Sequence, residues 1–222
     1  MSFEYFKMGY GLVTENDPTT ENANLFLAQW HILKEAKGEL TDEDRDFFMQ
    51  NMVLKINPEN GLYNRRSIEE LPLRSVSQDE ILGFLISSTL LRTPNAEKIW
   101  KHLITHFGTY NNTGRLKDSI PFNPANFYAW GQIVGSKLSC LFLPFYIANL
   151  LIAINKDPSN TSSKIMYWME FEVMPKTFIN NLLYSVYENK MIKQYGADYV
   201  SFLLHFYHGR EDKVNFPIFK EL

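Results

Sequence analysis

The densest group of side chains able to do chemistry is Ser77-Gln78-Asp79-Glu80. Two carboxylates behind a hydroxyl suit general acid–base work, and a pair of acids flanking a sugar bond is the usual apparatus of glycoside hydrolysis. Neighbouring residues on a helix diverge by about 100°, so Asp79 and Glu80 would not face each other across a substrate. A second acid would come from Glu35, Asp42 or Glu69. The same four residues also spell a capping box, in which the Ser77 hydroxyl and the Glu80 carboxylate satisfy first-turn amides. The cap accounts for Ser77 and Glu80 and leaves Asp79 without a role.

The preceding loop supplies Tyr63, Asn64, Arg65, Arg66 and Arg74. Arginine forks hold carboxylates or phosphates bidentately, and tyrosine stacks on sugars. Together with Asn22, Asn24, Trp30 and His31 they describe a pocket for an anionic glycan. The alternative is a structural network in which the arginines pair with Glu69, Glu70 and Asp79. Phe127, Tyr128 and Trp130 are close together in sequence. Neighbouring positions on a helix face different sides, so at least one of the three, Trp130 among them, is expected at the surface as a partner or substrate contact.

Other reactive types carry less. His102 and His106 stand i, i+4, a spacing that places both on one helix face for a metal, but no third ligand is near in sequence. They read as solvated or capping groups at a helix C-terminus, where positive charge suits the dipole, and His205 and His208 read the same way. The single cysteine, Cys140, lies in an apolar run and reads as a small buried hydrophobe. There is no Gly-rich phosphate loop, Cys-x-x-Cys, His-Glu-x-x-His or Gly-x-Ser-x-Gly. No metal and no cofactor are therefore expected.

The elements that must position these groups read as helices. Thr19 or Thr20 opens a segment closed by Gly38. Thr41-Asp42-Glu43-Asp44 is a capping signal for a helix that stops before Pro58. Ser77 opens a third, carrying Ile81, Leu82, Leu85, Ile86 and Leu90. Thr93-Pro94 is an N-cap followed by proline, then Ile99, Trp100, Leu103, Ile104 and Phe107 at helical spacing up to Gly108. Further helices are expected over residues 124–137, 138–155, 164–173, 176–193 and 198–208. Period-two alternation is lacking. The spacing predicts an all-α chain of about eight helices in antiparallel hairpins, as an α/α superhelix or partial α/α toroid. No linker divides it, so residues 1–222 form one helical domain. Residues 57–76 and 108–123 make long connections, a frequent place for function.

Composition bounds the function. With 45% hydrophobic and 21% charged residues the chain is globular rather than disordered. A net charge of −3, with no basic run, argues against nucleic acid. Aromatic content of 15% supports a large core or an adhesive surface. Residues 138–154 form the best membrane candidate, yet they are short and include Pro144 and Asn149, so a buried core helix is expected and no membrane span. The N-terminus has no basic stretch followed by an apolar one, so no secretory signal is expected, and the host cytoplasm or a virion is the implied location.

Gly61, Leu62, Tyr63 and Arg65, followed by Ser77, Asp79, Glu80 and Gly83, resemble a segment of all-helical bacteriophage-encoded proteins to which no activity is assigned. The arrangement is also similar to α/α-toroid enzymes acting on polysaccharides. Gln78 departs from the phage pattern, where a histidine is sought. The resemblance covers about a quarter of the chain. It implies a structural or interaction protein within a virion- or tail-associated assembly, with protein partners or further copies of itself. The second reading is a hydrolase or lyase for an acidic polysaccharide, with Asp79 or Glu80 as acid–base and Tyr63, Arg65, Arg66 and Arg74 on the substrate.

Overall fold

A computed structural model describes residues 23–49, 76–110, 120–155 and 161–195. Among these the chain is all-α. Its helices are α1 (Ala23–Ala36), α2 (Asp42–Phe48), α3 (Gln78–Leu90), α4 (Asn95–Thr105), α5 (Asn126–Ile133), a 3-10 helix (Lys137–Phe142), α6 (Leu143–Asn155), α7 (Thr161–Val173) and α8 (Phe178–Tyr195). The one ladder among the described residues is a two-residue antiparallel pair, β1 (Thr109–Tyr110) with β2 (Ile120–Pro121), in the register Thr109 to Pro121 and Tyr110 to Ile120. The expected helix over residues 198–208 lies outside the described residues.

Local signals explain most of the boundaries. Thr41 caps α2 with a full capping box: its hydroxyl accepts from the Asp44 amide, and the Asp44 carboxylate accepts from the Thr41 amide. Thr177 caps α8 by accepting from the Asn180 amide. At α4 the structure corrects the sequence. Pro94 takes the cap position, and Thr93 is buried with its hydroxyl turned to Ser88. The Ser88 hydroxyl, at the end of α3, accepts from the Ala96 amide instead. The cap therefore crosses the turn between two helices, a partner that local sequence cannot announce.

The end of α4 brings another correction. Phe107 does not continue the apolar stripe. It takes a left-handed conformation, φ 51°, and is 98% exposed. Gly108 follows at φ 75°, and its amide reaches back to the Leu103 carbonyl. Two consecutive left-handed residues swing the Phe107 side chain off the helix face.

α3 is the hub, touching α1, α4, α5 and α7. Every residue from 80 to 88 is buried. Gly83 permits the close approach of α1, because a methyl group there would overlap the Asn24 carbonyl. A second layer is aromatic. Tyr146 on α6 packs on Tyr128 of α5 and on Tyr167 and Phe171 of α7, and Tyr187 of α8 closes on Tyr167 and Phe171. Such tilted and edge-on pairs add to the area they bury.

Candidate interaction surface

The Ser77 to Glu80 cluster proves to be part of the framework. The Ser77 hydroxyl accepts from the Glu80 amide at 3.2 Å, which is one half of the expected capping box. The Glu80 carboxylate turns away to another helix. It accepts from the Asn24 backbone amide at 3.1 Å and from Asn24 Nδ2 at 2.9 Å, and it is fully buried. Glu80 thus caps the start of α1 from α3, where a negative charge also suits the dipole. Gln78 Oε1 accepts from Asn126 Nδ2 at 2.6 Å, joining α3 to α5. Asp79 is half-buried, has no hydrogen-bond partner among the described residues, and burial pushes its carboxyl above the usual range.

Farther along the α1–α3 seam, His31 Nδ1 lies 3.0 Å from Ser87 Oγ. Burial drives the His31 imidazole down to about 4, so it is neutral at ordinary pH. Tyr63, Asn64, Arg65, Arg66, Arg74 and Glu69 lie outside the described residues. Among the remaining acids proposed as a second carboxylate, Glu35 and Asp42 are exposed.

Three further readings meet the structure. Trp130, Phe127 and Tyr128 are all buried, contrary to the expectation that one reaches the surface. The Tyr128 hydroxyl donates to Asn180 Oδ1 at 2.5 Å, and Phe127 packs on Trp100 and Phe142. The short α5 is enclosed by α3, α6, α7 and the 3-10 helix, so none of its faces is spare. His102 and His106 stack at 3.9 Å, and no group of three or more metal-ligating side chains occurs among the described residues. His106 Nδ1 lies 2.9 Å from the His102 carbonyl, the C-terminal capping geometry expected of it. Cys140, expected in the core, is exposed.

An open cleft of about 390 Å³ lies where α3 turns into α4, lined by Ser88, Thr89, Arg92, Thr93, Glu97 and Ile133 among others. Its best hydroxyls are already spent: Ser88 and Thr93 bond one another, and Ser88 also holds the Ala96 amide.

The feature that stands apart is the outward face of the 3-10 helix and α6. Residues 138–155 carry no charged side chain. Tyr146, Leu150, Ala153 and Ile154 turn inward. Leu138, Leu141, Pro144, Phe145, Ala148, Leu151 and Ile152 all face out, with Leu141 71% and Phe145 56% exposed. This overturns the expectation of a buried core helix. α8, which packs against α6, adds the exposed apolar residues Phe178, Ile179, Leu182 and Val186, Phe178 being 83% exposed. Monomeric soluble proteins scatter single apolar residues over their surfaces, and a contiguous set marks an interaction site. By length and composition the stretch Lys137–Asn155 also suffices to cross a membrane.

Sequence reasoning passed over this surface because the run looked like core. The available signal was the absence of charge on every side of a helix, which requires cover on every side. Searches of family models, curated proteins and solved structures find no match to this chain. Fold and surface therefore define a class, an all-α protein with a half-covered apolar helix.

Proposed function

We propose that this protein is a structural or interaction component of a larger assembly, docking through the outward face of the 3-10 helix, α6 and α8. One observation carries the reading: an uncharged run of residues 138–155 whose outer side is exposed although its inner side is packed. Interface centres are depleted of charge and rich in aromatic and aliphatic anchors, and Leu141, Phe145 and Phe178 have that character. The resemblance of the Gly61 to Gly83 segment to phage-encoded helical proteins supplies the setting, a virion- or tail-associated component.

The polysaccharide hydrolase or lyase has less support. Glu80, one of its two candidate acids, is committed to Asn24, and Trp130 sits in the core.

The test is binding of an anilinonaphthalene dye to the folded chain, with near-ultraviolet circular dichroism to verify fixed packing. The folded wild type is expected to enhance dye emission, and Leu141→Asp combined with Phe178→Asp to lower it severalfold without altering the dichroism. A folded wild type that leaves the dye dark when dilute enough to be monomeric would refute the proposal.

A further inference from the structure

We propose that the outward face of the 3-10 helix, α6 and the opening half of α8 pairs with the same face of a second copy of this chain. The inference rests on the docking function above and names its partner.

Spacing is the first argument. Leu138, Leu141, Phe145, Ala148 and Ile152 follow one another at intervals of three, four, three and four, and all five face outward. Alternating threes and fours are the signature of a seam that packs on another helix. In the 3-10 portion, Leu138 and Leu141 stand directly above one another, because that helix turns every three residues. A lipid surface demands no such period. Helices lying in a membrane interface carry lysine or arginine along their polar face, whereas the 3-10 helix and α6 carry only Lys137, at their first position, and turn Tyr146 and Leu150 into the protein core.

Charge is the second argument. In a two-fold interface each patch meets itself, so any charged residue near the axis meets its own like charge. From Leu138 to Asn155 the seam carries no charge, and Lys137 stands at its end away from the axis, so the seam is self-compatible when two copies run antiparallel. Ala148, small and next along the seam from Phe145, provides the hole that a Phe145 ring from the other copy would enter.

Size is the third. The 3-10 helix with α6 is roughly 31 Å long, and the uncharged opening half of α8, Phe178 to Val186, adds roughly 13 Å; at a helix breadth of about 10 Å they offer roughly 450 Å² per copy. Two copies then bury about 900 Å², the size of weak, transient associations. A weak, concentration-dependent dimer follows from that area.

Sedimentation of the full chain across roughly 1–100 μM, a range bracketing the affinity of a small interface, decides it. The expected result is a mass rising from one copy toward two, with Leu141→Asp and Phe145→Asp each weakening association by about 100-fold or more and leaving the far-ultraviolet dichroism unchanged. A second variant, Ala148→Cys in a Cys140→Ser background, is expected to form a covalent dimer with a short bis-maleimide, a result that does not depend on an acidic substitution being tolerated. A monomer at every concentration that still lights the dye overturns the second copy while leaving the docking surface in place. A dark monomer defeats both. A dimer insensitive to both acidic substitutions and not cross-linked through Ala148→Cys places the interface elsewhere and overturns the proposal, as does uptake of the chain onto phosphatidylcholine vesicles in place of self-association.

Discussion

α3 and α6 are both 13 residues long and both rich in apolar residues, yet the protein treats them in opposite ways. α3 is surrounded by α1, α4, α5 and α7, and nothing between residues 80 and 88 reaches solvent. α6 gets half as much cover, turning Tyr146, Leu150, Ala153 and Ile154 inward and leaving Phe145, Leu151 and Ile152 outside. A helix that is hydrophobic all round belongs in an interior. The chain supplies that interior for α3. For α6 it supplies one wall, and a partner is the natural second.

Small residues on α3 make the difference concrete. Gly83, Ser87 and Ser88 let neighbouring helices come close, and both serines bond across to other elements. On the inner face of α6 only Ala153 is small, and the large Tyr146 ring fills the contact, packing on Tyr128, Tyr167 and Phe171 while its hydroxyl donates to Glu170 at 3.0 Å.

Four measurements sharpen or break this contrast. Leu85 is fully buried in α3, and Leu85→Ala is expected to cost about 2–5 kcal/mol in urea unfolding, through lost burial and the cavity left behind. A cost under about 1 kcal/mol would mean that α3 is not the hub. Glu80→Ala is expected to cost about 2–3 kcal/mol, since it strips two acceptors from the buried start of α1, with accelerated amide exchange concentrated in α1. Exchange rising elsewhere instead would deny the cross-helix cap.

The inner wall of α6 is tested by pH. Burial lifts the Glu170 carboxyl from its usual 4.5 to about 8, with the Tyr146 hydroxyl pulling the other way. Between those values the folded chain holds a proton that the unfolded chain releases, so stability falls as pH rises toward 8. His31, lowered from 6.5 to about 4, has the opposite sign: the unfolded chain binds the extra proton, so stability rises between pH 4 and 6.5. The two slopes oppose each other below pH 6.5. Above it, of these two only Glu170 contributes, at up to about 1.4 kcal/mol per pH unit, which amounts to about 2 kcal/mol by pH 8. Glu170→Gln is expected to flatten the fall between pH 6.5 and 8, and an unchanged slope would assign it to another group.

The smallest effect belongs to the outer wall. Leu141→Ala, measured dilute enough to keep the chain monomeric, is expected to change stability by less than about 0.5 kcal/mol, as for exposed positions in general. A cost approaching that of Leu85→Ala would show that the outer face is covered within the same chain.

The all-α class, the cap at Thr41, the opening of α3 at Ser77 and the single-faced spacing of α4 were legible in the sequence, because each rests on contacts within a few residues. Ile81, Leu85 and Leu103 are buried as their helical spacing predicts. Much of the candidate site was not legible. Ser77 and Glu80 looked like one local box, but the Glu80 carboxylate found the amide of Asn24, 56 residues away. Phe107 held the right spacing and was turned outward by two left-handed residues. Trp130, read as a contact, is enclosed because α5 has neighbours on every side. Cys140 sits in an apolar run but on its wet side. What the sequence determines alone is periodicity, capping and total apolar content, which are short-range or additive. Which side of an all-apolar helix meets water depends on how many neighbours reach it. Only the packed tertiary structure decides that, and here it leaves α6 with one wall out of two.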